Sequence, residues 1–166
     1  MGLVPGHEIC GEVQELGSAV PPSKCGLREG DVVVVYPWKG CSNCEACRAG
    51  ESQLCEDNAN GTTDIGQGAN AGGYGSYVAV PDWTLAIRLP KNIPPKIGCM
   101  LPCSGLTALS AINKVRPALD LAIRIRGFAN LLVIGVGGIG QWTVVLVKSV
   151  FGDKNVKVLC ADTEQA

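Results

Sequence analysis

At 166 residues the chain has room for one full domain or two partial ones, and with 46% apolar and 17% charged residues it has the composition of a soluble globular protein with a sizeable core. The net charge is −1, the isoelectric point is about 5.8, and lysine and arginine form no basic run, which excludes nucleic acid and anionic membrane as the main partner and leaves small molecules. Nine cysteines, an odd count, and a start (Met1-Gly-Leu-Val-Pro-Gly-His-Glu8) without the charged and apolar regions of a secretory signal point to a reducing, cytoplasmic setting where thiols bind metal or stay free.

Pro5 and Gly6 mark a turn, and the alternation of polar and apolar residues over Gly11–Gly17 predicts a half-buried strand. His7, the single histidine, lies just before it; taken alone, such a residue reads as a surface or hydrogen-bonded core histidine as readily as a metal ligand. A loop with Pro21, Pro22 and Gly30 leads into Val32–Val35, whose β-branched run predicts a buried strand. Trp38 follows, at a strand end where pockets open, although core packing is the commoner fate of tryptophan.

Cys41, Cys44, Cys47 and Cys55 come next, with two, two and seven residues between them. Zinc accepts an all-cysteine set of four in closed structural sites, and a short loop that folds back can supply every ligand. The competing reading is a disulfide knot. Cysteines separated by two residues bridge poorly, and the rest of the chain lacks the character of a small stapled scaffold. Only Lys39 and Arg48 are basic residues close to the cluster, which argues against a zinc ribbon that binds nucleic acid.

From Glu56 to Asn70 the chain is polar and glycine-bearing, and reads as loop. Strands are predicted over Gly72–Val80 and Trp83–Leu89, stopped by Pro81 and Pro90. After Pro94-Pro95 the character changes: Leu106, Leu109 and Ile112 recur at helical spacing over Ser104–Ile112, which sets a domain boundary near residue 103. Cys103, in isolation, reads as a small buried apolar residue.

The last third follows the order strand, glycine loop, helix, strand: Asn130–Ile134, Gly135-Val-Gly-Gly-Ile-Gly140, Gln141–Val150 and Val156–Cys160. In that setting Gly135 permits the tight turn, Gly137 lets backbone N–H groups approach a pyrophosphate, and Gly140 lets helix and sheet pack closely; Gly138 completes the loop. Asp162, at the end of the second strand, can accept hydrogen bonds from both hydroxyls of an adenosine ribose and would repel a 2′-phosphate, which favours NAD over NADP. A strand-end aspartate is also a common turn residue. The stretch Ala129–Val147 carries no charge and approaches the length of a membrane span, but four glycines divide it into a strand and a helix.

With these residues in hand, the sequence resembles the zinc-dependent medium-chain alcohol dehydrogenases nearly end to end. Gly6-His-Glu8, the four-cysteine lobe, Gly72-Gly-Tyr74, Leu101-Pro-Cys-Ser-Gly-Leu-Thr-Ala108 and the glycine loop all occur in family order. The resemblance implies a mixed β and α/β fold: a GroES-like β domain over 1–103, with its zinc lobe at about 38–56, then a linking helix and the first βαβ unit of a Rossmann fold over 104–166. It implies that His7 and Cys103 are ligands of a catalytic zinc, that Glu8 stands behind that metal, and that the four-cysteine zinc is structural. It further implies that Thr107 and Ile139 flank a nicotinamide ring, that Trp38 lines the substrate pocket, and that the reaction is oxidation of an alcohol to an aldehyde or ketone by hydride transfer to NAD. The full-length protein would be a homo-oligomer.

Two departures from the family pattern set further expectations. The family's other catalytic cysteine lies roughly twenty residues before the histidine, against a need for three protein ligands. Here six residues precede His7, and Cys10 is too near to replace it. The chain also stops after one βαβ unit, whereas a dinucleotide fold uses two halves. The expectation is a fragment, N-terminally incomplete and without turnover alone, with a complete four-cysteine site and a weak metal position at His7 and Cys103. The alternative is a non-catalytic zinc-binding remnant that acts as a binding or subunit-interaction module.

Overall fold

Four consecutive valines, too crowded at Cβ for a comfortable helix, form the central strand of the only three-stranded sheet among the described residues. The computed structural model describes residues 4–57, 64–66, 71–152 and 155–163, and the chain divides into two units, 1–103 and 104–166.

In the first unit, β1 (Ile9–Glu12), β2 (Val32–Val35) and β3 (Ala86–Arg88) lie side by side in that order, both pairings antiparallel. Ile9 stands opposite Val35, and Val33 opposite Arg88. Ile9, Val35, Ile65 and Leu85 form the buried core, with Tyr36, Val78 and Val80 against it. Short helices α1 (Pro22–Cys25), α2 (Glu45–Arg48) and α3 (Pro95–Gly98) occupy the connections, and a π-helical turn covers Leu101–Gly105.

The strand expectations are corrected in three places. β1 begins at Ile9 and ends at Glu12 because its length is set by the four residues of β2; Val13 adds only flanking bonds to Asp31 and Gly30. Residues 72–80 form no strand. The N–H groups of Gly72, Gly73 and Tyr74 go to the carbonyls of Val4, Gly6 and Pro5, and a Cβ on Gly72 would stand 2.3 Å from the Gly6 oxygen. The glycines there serve close backbone approach instead of a ladder. Trp83–Leu85 is a 3₁₀ turn capped by Asp82, whose Oδ1 accepts from Thr84 N at 2.9 Å, so β3 starts only at Ala86.

The second unit opens with α4 (Leu106–Arg126), far longer than the predicted Ser104–Ile112. It runs through Pro117 because its packed face continues beyond it: Ile112 and Leu119 are buried, and Ala122 and Ile123 pack against the same cluster. Gly127, at φ +79°, ends it, its N–H bonded to Ile123 O at 2.8 Å. Then come β4 (Ala129–Ile134), α5 (Gly138–Phe151) and β5 (Val156–Ala161), with β4 and β5 parallel and Ala129 opposite Val156. α4 and α5 cover the sheet face that carries Ala129, Leu131, Val156 and Val158. The result is a mixed β and α/β protein, as the sequence implies. Among the described residues no helix is long and apolar enough to cross a membrane.

Candidate metal and cofactor sites

The four-cysteine loop closes on itself through local backbone devices. Gly40, at φ +67°, lies where a Cβ would stand 2.7 Å from Cys47 Sγ, so the loop packs this tightly only around glycine. α2 starts directly after Cys44, and a 3₁₀ turn over Ser52–Leu54 returns the chain to Cys55. The four sulfurs lie within 4.8 Å of one another. A tetrahedral ion with metal–sulfur bonds of about 2.3 Å needs sulfurs roughly 3.8 Å apart, so the set fits a zinc-sized cation.

Backbone N–H groups point at the sulfurs: Cys41 N lies 3.2 Å from Cys55 Sγ, and Cys44 N lies 3.3 Å from Cys41 Sγ. The Cys44 thiol is drawn down to about 7 by the N–H groups of Cys47 and Glu56. Cys41 receives the N–H groups of Asn43 and Cys44, yet burial and the adjoining thiols of Cys55 and Cys44 push it up to about 11. Thiols this close hinder one another's ionisation, and a divalent cation is what allows all four to ionise together.

His7 and Cys103 come together from opposite ends of the first unit. His7 lies two residues before the start of β1, and Cys103 sits in the π-helical turn, a distortion that helices use to aim a side chain at functional sites. His7 Nε2 lies 3.2 Å from Cys103 Sγ across 96 positions of sequence. Tetrahedral bonds of about 2.1 Å to nitrogen and 2.3 Å to sulfur would set these atoms about 3.6 Å apart, so the pair already forms one edge of a ligand set. Burial pushes the Cys103 thiol up, and the negative charge of Glu8 adds to that. The Trp38 ring stands 6.3 Å from the His7 ring, tilted by 51°, and packs edge-on to Tyr36 at 5.3 Å. Cys10 does not join this pair: it lies opposite Val34 in the sheet, its thiol raised by burial and by Cys99.

Sequence reading passed over Asp64. It is 8% exposed, its Oδ1 has no hydrogen bond, and its carboxyl is pushed up by burial while the His7 charge pulls it down. A single acid inside a polar loop carries no periodic signal; the one hint was the apolar Ile65 that follows it.

In the second unit the glycine loop has the geometry its spacing suggests. Gly135 sits at φ +85°, and a Cβ on Gly140 would stand 2.0 Å from Gly135 O, so the helix start lies directly on the turn. Gly137 faces open space, a Cβ on Gly138 would stand 3.4 Å from Ser104 Oγ, and Ile139 is exposed in the first turn of α5. Thr107 occupies the first turn of α4. Asp162 turns toward the loop: Val136 N donates to its Oδ2 at 2.6 Å, and Thr163 N to its Oδ1 at 2.7 Å. The Thr163 hydroxyl lies 3.4 Å from the same Oδ1.

Residues 1–91 match the family model for the alcohol dehydrogenase GroES-like domain. The chain belongs to the zinc-type medium-chain alcohol dehydrogenase family. Among the relatives of this chain, an NAD-dependent alcohol dehydrogenase from Sulfolobus acidocaldarius is 38% identical over 151 residues, which cover 90% of this chain and 39% of that protein. The crystal structure of the D-arabinose dehydrogenase from Sulfolobus solfataricus aligns with a TM-score of 0.82 and 26% identity, over 98% of this chain and 45% of that one. A cobalt- and zinc-bound thermostable alcohol dehydrogenase from Pyrobaculum aerophilum aligns with a TM-score of 0.69 and 29% identity, over 96% and 42%. This member of the alcohol dehydrogenase family thus spans about two fifths of the length of the curated relatives it matches.

Proposed function

We propose that this chain is the zinc-lobed GroES-like domain, 1–103, and the first βαβ unit, 104–166, of an NAD-dependent alcohol dehydrogenase that oxidises an alcohol to an aldehyde or ketone. The observation that carries this reading is the 3.2 Å approach of His7 Nε2 to Cys103 Sγ, two donors of the right chemistry brought together from distant sequence. Cys41, Cys44, Cys47 and Cys55 hold a structural zinc that braces the lobe; with every ligand supplied by protein, that ion has no open position for substrate. His7 and Cys103 hold the reactive zinc, with Glu8 behind them. Bound there, zinc supplies Lewis acidity to a substrate hydroxyl, and NAD supplies the acceptor for hydride.

The chain's own residues position these groups. Trp38 gives the substrate side of His7 an apolar wall that limits water. The glycine loop and the N-terminus of α5 seat the pyrophosphate of NAD, Asp162 accepts the ribose hydroxyls, and Thr107 and Ile139 flank the nicotinamide. The whole protein is read as a cytoplasmic homo-oligomer acting on a small alcohol or carbonyl compound. The 166 residues alone are read as lacking turnover, because among the described residues His7 and Cys103 are the two donors brought together, where three are needed.

A second reading, a non-catalytic zinc module for binding or subunit contact, is favoured by one observation: the four-sulfur group is the only set of three or more metal donors among the described residues. The two readings separate in an assay of NADH absorbance on the polypeptide encoded by the full transcript, run beside the 166-residue chain with primary, secondary, aromatic and polyol alcohols. Zinc-dependent NADH formation by the longer product, abolished by His7→Ala, is expected. Absence of turnover with every class of alcohol would sink the enzyme reading and leave the module.

A further inference from the structure

Of the nine cysteines, four close the metal loop and Cys103 meets His7, which leaves Cys10 and Cys99 among those without a task. The fold puts these two on one side of the first sheet. In β1, Ile9 points into the core with Val35, Ile65 and Leu85, so Cys10 points to the opposite face. There it stands in a row with Val34 and Ile87. Val34 is 6% exposed yet lies outside that core, so this second face is covered as well. α3 supplies part of the cover. It lies against β1, and its last residue, Gly98, rests on Leu89, where a Cβ would stand 2.7 Å from the leucine Cδ2. Leu89 continues the ladder past β3, its N–H bonded to Val32 O at 2.9 Å; two residues on from Ile87, it shares the face of Cys10. Cys99 directly follows Gly98 and caps α3, both thiols are partly buried, and the Cys10 thiol is pushed up by burial and then by the charge of Cys99.

We propose that Cys10 and Cys99 are a redox-responsive pair that closes into a disulfide across the β1–α3 contact on exposure to a low-molecular-weight disulfide such as oxidised glutathione. One protein thiolate attacks that disulfide, forms a mixed disulfide and releases one small thiol; the second thiolate then attacks the protein-side sulfur and releases the other. Two protein thiols are thereby oxidised to one disulfide, and one small disulfide is reduced to two thiols, which carry off both protons. A disulfide needs Cα atoms within about 7 Å, which calls for two elements in direct contact, as β1 and α3 are. In a reducing compartment such bonds are usually transient and redox-sensing. Cys10 lies three residues after His7, and Cys99 four residues before Cys103, so the link fastens together the two stretches whose side chains meet at 3.2 Å. It depends on thiols alone and stands or falls independently of any metal at His7.

The zinc-loaded chain, equilibrated with oxidised glutathione, alkylated to trap free thiols and digested without reduction, should yield the Cys10 peptide joined to the Cys99 peptide. Two alkylatable thiols should be lost, and dithiothreitol should restore them. Cys25 in α1 and the exposed Cys160 in β5 serve as internal controls and should stop at the mixed disulfide with glutathione. Cys10→Ser and Cys99→Ser should each leave the remaining thiol of the pair at that same stage. Zinc retained by the four thiols reports that each variant is folded and that the metal loop is spared. A wild-type chain in which Cys10 and Cys99 carry only glutathione or the alkyl group overturns the proposal, and so does a link from either of them to Cys103 in place of the pair. Hydrogen exchange reads the consequence: amides of β1 and of Leu101–Gly105 should exchange more slowly in the oxidised wild type than in the reduced one, a difference that Cys10→Ser abolishes. Exchange unchanged by oxidation would overturn the claim that the link fastens the two stretches.

Discussion

Gly140 lies so close to Gly135 that a Cβ on the former would stand 2.0 Å from the carbonyl oxygen of the latter, whereas a Cβ on Gly137, two residues after Gly135, would meet nothing within 4 Å. The two glycines should therefore fail differently. Gly140→Ala forces α5 off the turn and should lower stability by about 1–3 kcal/mol, the usual range for overpacking. Gly137→Ala should leave stability within about 0.5 kcal/mol of wild type, as for an unobstructed surface site, and yet weaken NAD binding by obstructing the approach of a phosphate. Thermal denaturation and calorimetric titration with NAD separate the two effects. Wild-type affinity in Gly137→Ala would show that this loop does not seat the pyrophosphate.

Zinc content should be about one ion per chain for the 166 residues, held by the four thiols. Cys44→Ser removes a ligand whose thiol already ionises near 7 and should release that ion. Elemental analysis after exhaustive dialysis gives the count. Two tightly held zincs in the wild type would show that His7 and Cys103 need no further protein ligand within this chain.

Legibility in the sequence followed the range of the forces involved. β2 occupies the valine run it was predicted from, and the turn at Gly135 adopts a positive φ, because both depend on local sterics. The four cysteines close into one group because fifteen consecutive residues contain every member. By contrast, residues 72–80 have the composition of a strand and still form none; the N–H groups of Gly72, Gly73 and Tyr74 are taken by residues 4–6, a partner that composition does not name. The continuation of α4 through Pro117 depends on tertiary packing of Leu119, Ala122 and Ile123. His7 and Cys103, 96 positions apart, were paired only through family resemblance, and Asp64 had no local signal beyond the apolar Ile65 beside it.

Asp31 ties β3 to the turn before β2 and should give the first unit an acid-sensitive edge. Its Oδ2 accepts from Arg88 Nη2 at 2.5 Å and from Arg28 N at 2.7 Å, and Arg88 Nη2 also reaches Gly26 O. The Arg88 hydrogen bond, then the Arg28 N–H, hold its carboxyl below the ordinary value. A carboxyl depressed in the folded state contributes stability that is present above the unfolded value of about 3.9 and is lost as pH falls through the folded value. Asp31→Asn should therefore melt below wild type at neutral pH, with the gap closing in acid. Because the pair is partly exposed, the neutral-pH gap should also narrow in high salt. A gap that persists unchanged at low pH would assign the effect to packing instead of charge.

The β4–β5 sheet has one face covered by α4 and α5 and, among the described residues, the other bare. Ile134 is 81% exposed, and Leu132 and Leu159 lie open on the same side. Among the described residues these two strands pair only with each other, in parallel, a pairing somewhat weaker per residue than the antiparallel one. Two strands alone are marginal in water, and their outer edges are unpaired. β2, by contrast, is flanked on both sides and has three of its four residues buried. Hydrogen exchange on the zinc-loaded chain should find β5 amides exchanging well before those of β2, through local opening of the second unit at lower free energy than the first. Addition of NAD should slow β5 and α5 in particular if the glycine loop binds it. Equal protection of β5 and β2 without ligand would mean that the second unit is as stable as the first, and that the bare face is not a weakness of this chain.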